Sequence, residues 1–221
     1  MFCLNIFIQL LALLIVMVIG YAARLFGLLD KNTTKKLSSF LMGVCYPLLM
    51  IVSFRQELSV NGVGLMGTVL VIAFIIHLVP TVISVFLFRG NKLSEAAALR
   101  FGTVFQSCGF VGYPLLKAVF GDLGAFYCAC FVLFSTLYMW TVGAFMLSVG
   151  KKRSFGTHLK ALANPTLIGA VVGVLLFLCR IKLPSFLMLS FSAVGEMAIP
   201  LSMIVLGSMF RELPLNEVFL S

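Results

Sequence analysis

Seven apolar runs, each near the length of a bilayer-crossing helix, fill most of this chain: 5–26, 37–54, 63–88, 96–116, 122–148, 161–180 and 185–209. They are apolar on every side, and in hydrocarbon each backbone N–H and C=O must find its partner within the segment or in a closed barrel. Barrel strands would be shorter and would alternate in polarity, so helices are selected. Over 221 residues the seven runs leave no room for a soluble domain. The composition agrees, with 62% apolar and only 10% charged residues, where a soluble domain needs about a quarter charged residues to cover its surface. The same figures exclude intrinsic disorder. The first run has no basic n-region and no small-residue cleavage site, so it reads as a first span and not as a signal peptide.

The net charge of +9 would point to nucleic acid in a soluble protein. Here the bases lie at the ends of the apolar runs, so the partner they imply is the lipid bilayer, and no nucleic acid is expected. Counted by connection, 12 Lys and Arg fall in the odd loops and 4 in the even ones. That bias puts the odd loops in the cytoplasm and the N-terminus outside, in a multi-pass protein of the plasma membrane. Cys3, Cys45, Cys108, Cys128, Cys130 and Cys179 have neither metal-ligand spacing nor a loop-rich setting. They read as small apolar residues; no metal and no cofactor are implied.

Sliding the chain against itself by 153 residues aligns Gly20 with Gly173 and Pro47 with Pro200, both separated by 27 residues. Over 12–54 against 165–207 there are 11 identities in 43 pairs, where apolar composition alone gives about four. Pro47 and Pro200 are expected to break their helices. The first copy begins outside and the second, five crossings later, inside, so the copies are inverted. Inverted repeats are the architecture of secondary transporters, which expose one midplane site to either side in turn. The fourth run adds a second feature: Gly109, Gly112 and Pro114 follow Ser107 near mid-depth, so the helix is expected to be interrupted at Gly112 and Pro114, its freed backbone facing protein or a cavity.

These residues resemble the auxin efflux carrier family, which includes plant auxin exporters and bacterial malate permease-like proteins. The resemblance rests on Ser107-Cys108-Gly109-Phe110-Val111-Gly112-Tyr113-Pro114, on Asn164-Pro165-Thr166-Leu167-Ile168-Gly169, and on Pro200-Leu201-Ser202-Met203-Ile204-Val205-Leu206-Gly207. It implies a ten-helix, five-plus-five inverted-repeat fold similar to bile-acid symporters, with substrate at the crossing of broken fourth and ninth helices. Ser107, Gly109, Gly112 and Pro114 then become the substrate-binding candidates. Ser107 departs from the family's Asn and offers one hydroxyl where an amide offers two donors and an acceptor. Seven of the ten helices are present, so 1–150 reads as the first repeat and 151–221 as the start of the second. A truncated carrier is expected, about 82 residues short, and not to transport by itself.

Glu196 lies deep in an apolar run, where a carboxylate is expensive; it is the candidate for coupling to H+ or Na+, or else a structural hydrogen-bonding group. His77, three residues before Pro80, reads as a neutral donor to the carbonyl that the proline frees. Arg100 and Lys117 flank the fourth run and read first as snorkelling side chains, second as anion attractors. The spans contain no metal motif, nucleophile elbow or paired aspartates, so an enzyme is not expected. The function read from the sequence is a secondary active carrier of small organic anions such as carboxylates, working by alternating access. A homodimer is one assembly open to it. The competing readings are a seven-helix receptor and a truncated homologue without transport activity.

Overall fold

Each helix starts and stops where local chemistry dictates. The computed structural model describes residues 2–54, 62–90, 93–105, 108–148 and 164–211, and all the regular structure in them is helical. Helix α1, Phe2–Leu25, ends where Gly27 takes φ +74° and the Leu28 amide returns to the Ala23 carbonyl, a closure that favours glycine. Asp30 then caps α2, Lys31–Phe40, by accepting from the Thr33 amide at 2.6 Å. The chain continues through a π turn, Leu41–Cys45, into α3, Tyr46–Ser53. Helix α4 is Gly62–Leu87 and carries Pro80 inside it. The fourth run forms two helices, α5, Leu93–Val104, and α6, Cys108–Phe120. Helix α7, Asp122–Tyr138, passes through a π turn, Met139–Gly143, into α8, Ala144–Leu147. Asn164 caps α9, Pro165–Leu178, with the proline at its first position, where no amide is needed. Helix α10, Ser185–Glu196, gives way at Met197 to α11, Ala198–Phe210.

Five helical stretches are long and apolar enough to cross a bilayer: Ile6–Leu25, Lys31–Ser53, Val63–Leu87, Asp122–Leu147 and Ser185–Phe210. The protein is therefore a multi-pass, all-α membrane protein. The fourth expected span is interrupted, as pieces of 12 and 13 residues, and α9, within the expected run 161–180, has 14 residues. Phe7, Ile8, Leu14 and Val18 on α1, and Ile72, Phe74, Ile75 and Phe86 on α4, present bare apolar surface, as helices solvated by lipid do.

The helices fall into two packed sets. In one, α1 lies along α11, and α3 packs against both α9 and α10; in the other, α4 packs on α5 and α7, and α6 on α7. The sets meet where α1 and α11 touch α6 and where α3 and α9 touch α7. Phe126 of α7 fills that second junction, edge-on to Phe54 at 5.7 Å and tilted against Phe177 of α9 at 5.1 Å. Within the first set, small residues let backbones close together. A β-carbon on Gly20 would strike the Ile204 backbone, and one on Gly173 would lie 3.2 Å from the Ile51 α-carbon. Ile51 and Ile204 stand 153 residues apart, as Gly20 and Gly173 do, so the two contacts are related by one and the same offset.

Candidate functional site

The fourth span is interrupted, but not where the glycines and proline predict. Helix α5 ends at Val104 and α6 runs without a break from Cys108 through Gly109, Gly112 and Pro114 to Phe120. A proline inside a helix deletes one hydrogen bond and bends the axis, and six helical residues precede Pro114 here to carry it. The chain leaves the helix upstream instead. In the sequence a serine, a residue type favoured before a helix, stands immediately before Cys108. Ser107 itself lies outside the described residues. No described heavy atom comes within 4 Å of a β-carbon built on Gly112.

The two expected proline breaks differ in degree. Pro47 does not end its helix: it is the second residue of α3, just after the π turn, and the helix runs on. Pro200 is the third residue of α11, just after the break at Met197. Residues 41–45 correspond to 194–198 at the 153-residue offset, and the chain is irregular at both places.

A polar recess opens between α6 and the first helix set. Tyr113 and Lys117 stand four residues apart on α6 and so share a face. The buried Tyr113 hydroxyl is hydrogen-bonded to Ser53 Oγ at 3.1 Å, and Ser53 also donates to the Leu49 carbonyl at 2.7 Å. Lys117 Nζ donates to Glu196 Oε1 at 2.5 Å. Asp122, in the first turn of α7, lines the same recess with Val52 and Ala125. The Lys117 ammonium is thus held by a carboxylate of another helix, a partner that the snorkelling reading does not include. The two residues stand 79 positions apart in the chain, so no local pattern in the sequence joins them.

The other candidates resolve into structural roles. His77 is buried, and its Nδ1 lies 2.7 Å from the Ala73 carbonyl, one turn earlier on α4. The carbonyl that Pro80 frees is that of Ile76, so the expected partner is corrected: the imidazole reaches straight back along its own face, as a residue four positions on does. Rings of Phe105, Phe131, Phe134 and Tyr138 surround it at 5.4 to 6.2 Å. Arg100 donates to the Phe88 carbonyl at 3.3 Å. Cys45, Cys128 and Cys130 are buried and outside any disulfide, whereas Cys179 is exposed. Among the described residues no three His, Cys, Asp or Glu are grouped to hold a metal ion.

The sequence matches the family of membrane transport proteins over residues 5–157 and again over 153–216. The chain belongs to that family. The interrupted fourth span falls in the first matched stretch, and the motifs beginning at Asn164 and Pro200 fall in the second, which bears out the resemblance to auxin efflux carriers. The chain is also 25% identical over 210 residues to an uncharacterized transporter of Methanocaldococcus jannaschii. That alignment takes in 89% of this chain and 66% of the archaeal protein, so the chain spans just under two thirds of its relative's length.

Proposed function

We propose that the protein is a secondary active carrier of small organic anions, carboxylates among them, working by alternating access in the plasma membrane with its N-terminus outside. The observation that carries this reading is the interruption at Phe105, between α5 and α6, in a chain of a membrane transport family. Irregular backbone at membrane depth is tolerated only where it is buried in protein or lines a cavity, and half-helix ends supply the dipoles that meet a charged substrate. Ser107, Gly109, Gly112 and Pro114 form the substrate-binding stretch, with no described heavy atom within 4 Å of a β-carbon built on Gly112. Residues 1–150 form the first repeat and 151–221 the opening helices of the inverted second, in a five-plus-five fold. The contacts of Gly20 with Ile204 and Gly173 with Ile51, related by one offset, support that symmetry, since a two-fold relation makes contacts occur in such reciprocal pairs. Glu196 is the residue through which H+ or Na+ is coupled. Family membership favours transport over the receptor and enzyme readings.

The test is uptake and counterflow by the full-length gene product in proteoliposomes, across a panel of mono- and dicarboxylates. Exchange of at least one labelled carboxylate against its unlabelled form supports the reading. Inactivity towards every anion, with protein correctly inserted, overturns it.

A further inference from the structure

We propose that Lys117 is a carboxylate-binding residue whose partner changes with the protonation of Glu196. While Glu196 is ionised it occupies Lys117; when it takes up a proton, Lys117 is released to bind the carboxylate of an organic anion. This rests on the organic-anion reading above and names the group that would meet the anion.

Three observations carry it. First, the carboxylate now on Lys117 is the same chemical group as the proposed ligand, held at 2.5 Å by a charge-assisted bond. Second, the pair can be reached: the Lys117 and Glu196 side chains are 33% and 48% exposed, and the recess beside them holds the hydroxyls of Ser53 and Tyr113. Third, Lys117 belongs to α6 and Glu196 to α10, so their bond ties one helix set to the other. Exchanging partners unfastens that tie when the ligand arrives.

The exchange fixes the stoichiometry. Lys117 with ionised Glu196 is neutral, and so is Lys117 with a bound carboxylate beside protonated Glu196, so the local charge is the same before and after the exchange whatever Asp122 contributes. One proton therefore comes from solution to a Glu196 carboxylate oxygen for each carboxylate that reaches Lys117, and no covalent bond of the anion changes. The titratable groups facing the pair are Tyr113 on α6 and Asp122 in the first turn of α7. From the first set, α3 contributes only the Ser53 hydroxyl, and α11 has no titratable side chain.

The experiment is calorimetric titration of the full-length protein in lipid nanodiscs with acetate, benzoate, lactate and malate, in buffers of different ionisation enthalpy. Wild-type protein is expected to take up about one proton per bound carboxylate, and its affinity to fall about tenfold per pH unit wherever that uptake is measured. Glu196→Gln should bind with no proton uptake and with affinity independent of pH. Lys117→Met should bind on the order of a hundredfold more weakly. Because Lys117→Met leaves a carboxylate unpaired, the double variant Lys117→Gln/Glu196→Gln, which strands no charge, serves as the folded control and must also bind weakly. Wild-type affinity in the double variant, or binding without proton uptake in the wild type, overturns the proposal and leaves the organic-anion reading standing. Failure of every carboxylate to bind any variant overturns both.

Discussion

Replacing Gly20 with alanine should loosen the packing of α1 on α11 by an amount the structure lets us estimate. The new β-carbon would sit 2.6 Å from the Ile204 α-carbon, where ordinary contact begins at 3.4 Å. The obstacle is backbone, which cannot rotate aside, so the helices must part by about 1 Å or bend. Overpacking of this kind costs about 1–3 kcal/mol, and alanine returns at most about 1 kcal/mol through its better helix propensity. The net expectation is a loss of about 1–2 kcal/mol. Gly67→Ala on α4 is the matched control, because no described heavy atom lies within 4 Å of its β-carbon; there only the propensity gain applies. Gly173→Ala should fall between the two, since its nearest obstacle, a Phe54 ring carbon at 2.7 Å, belongs to a side chain that can shift. Reversible unfolding in mixed micelles, followed through the fluorescence of Trp140, the single tryptophan, provides the assay. A Gly20→Ala protein as stable as Gly67→Ala would refute the claim that this glycine sets the helix spacing.

Tyr113→Phe removes the hydrogen bond between α6 and α3 but leaves Ser53 bonded to the Leu49 carbonyl, so it should lower stability by only about 0.5–1.5 kcal/mol in the same unfolding assay. His77→Ala empties a site ringed by four aromatic side chains and should cost about 3 kcal/mol, whereas His77→Phe keeps the volume and should cost less than half of that. Equal losses in the two His77 variants would show that the Ala73 hydrogen bond, and not ring packing, is what matters. Hydrogen bonds from the Thr33 side chain and amide hold the Asp30 carboxyl below its usual value of 3.8. A lowered folded-state value stabilises the start of α2 fully above pH 3.8, and that contribution fades as pH falls through the depressed value. Protection factors of the Thr33 and Thr34 amides should drop in that acid range and stay level from pH 5 to 7; constant protection down to pH 2 would contradict the cap.

Span positions were legible because lipid imposes one rule on every residue in a run, and a rule obeyed locally can be read locally. Thus the ends of α1 at Leu25 and of α9 at Leu178 fall at positions related by the 153-residue offset. The interruption of the fourth span was legible as an event and misplaced as a position. Glycine and proline weaken a helix over a whole turn or more, while the capping residue decides where the next helix begins. The Lys117–Glu196 pair was not legible. Each residue has an adequate local explanation, and only the approach of α10 to α6 makes them one site.

The 153-residue offset sharpens what Glu196 is for. Its counterpart at that offset is Gly43, inside the π turn Leu41–Cys45, where no described heavy atom lies within 4 Å of a built β-carbon. Both positions lie at a local irregularity of a helix, yet one has no side chain and the other a carboxylate. The irregularity itself therefore does not require an acid, since Gly43 supplies none. Gly195 makes the complementary point: it packs against the Leu49 backbone, 2.7 Å from a built β-carbon to the amide nitrogen, so close packing at this break is carried by the residue before Glu196. Glu196 instead reaches Lys117 on α6, outside its own helix set. A charge that the packing of its own helix does not need, placed where two sets of helices meet, is free to change partners when those sets move.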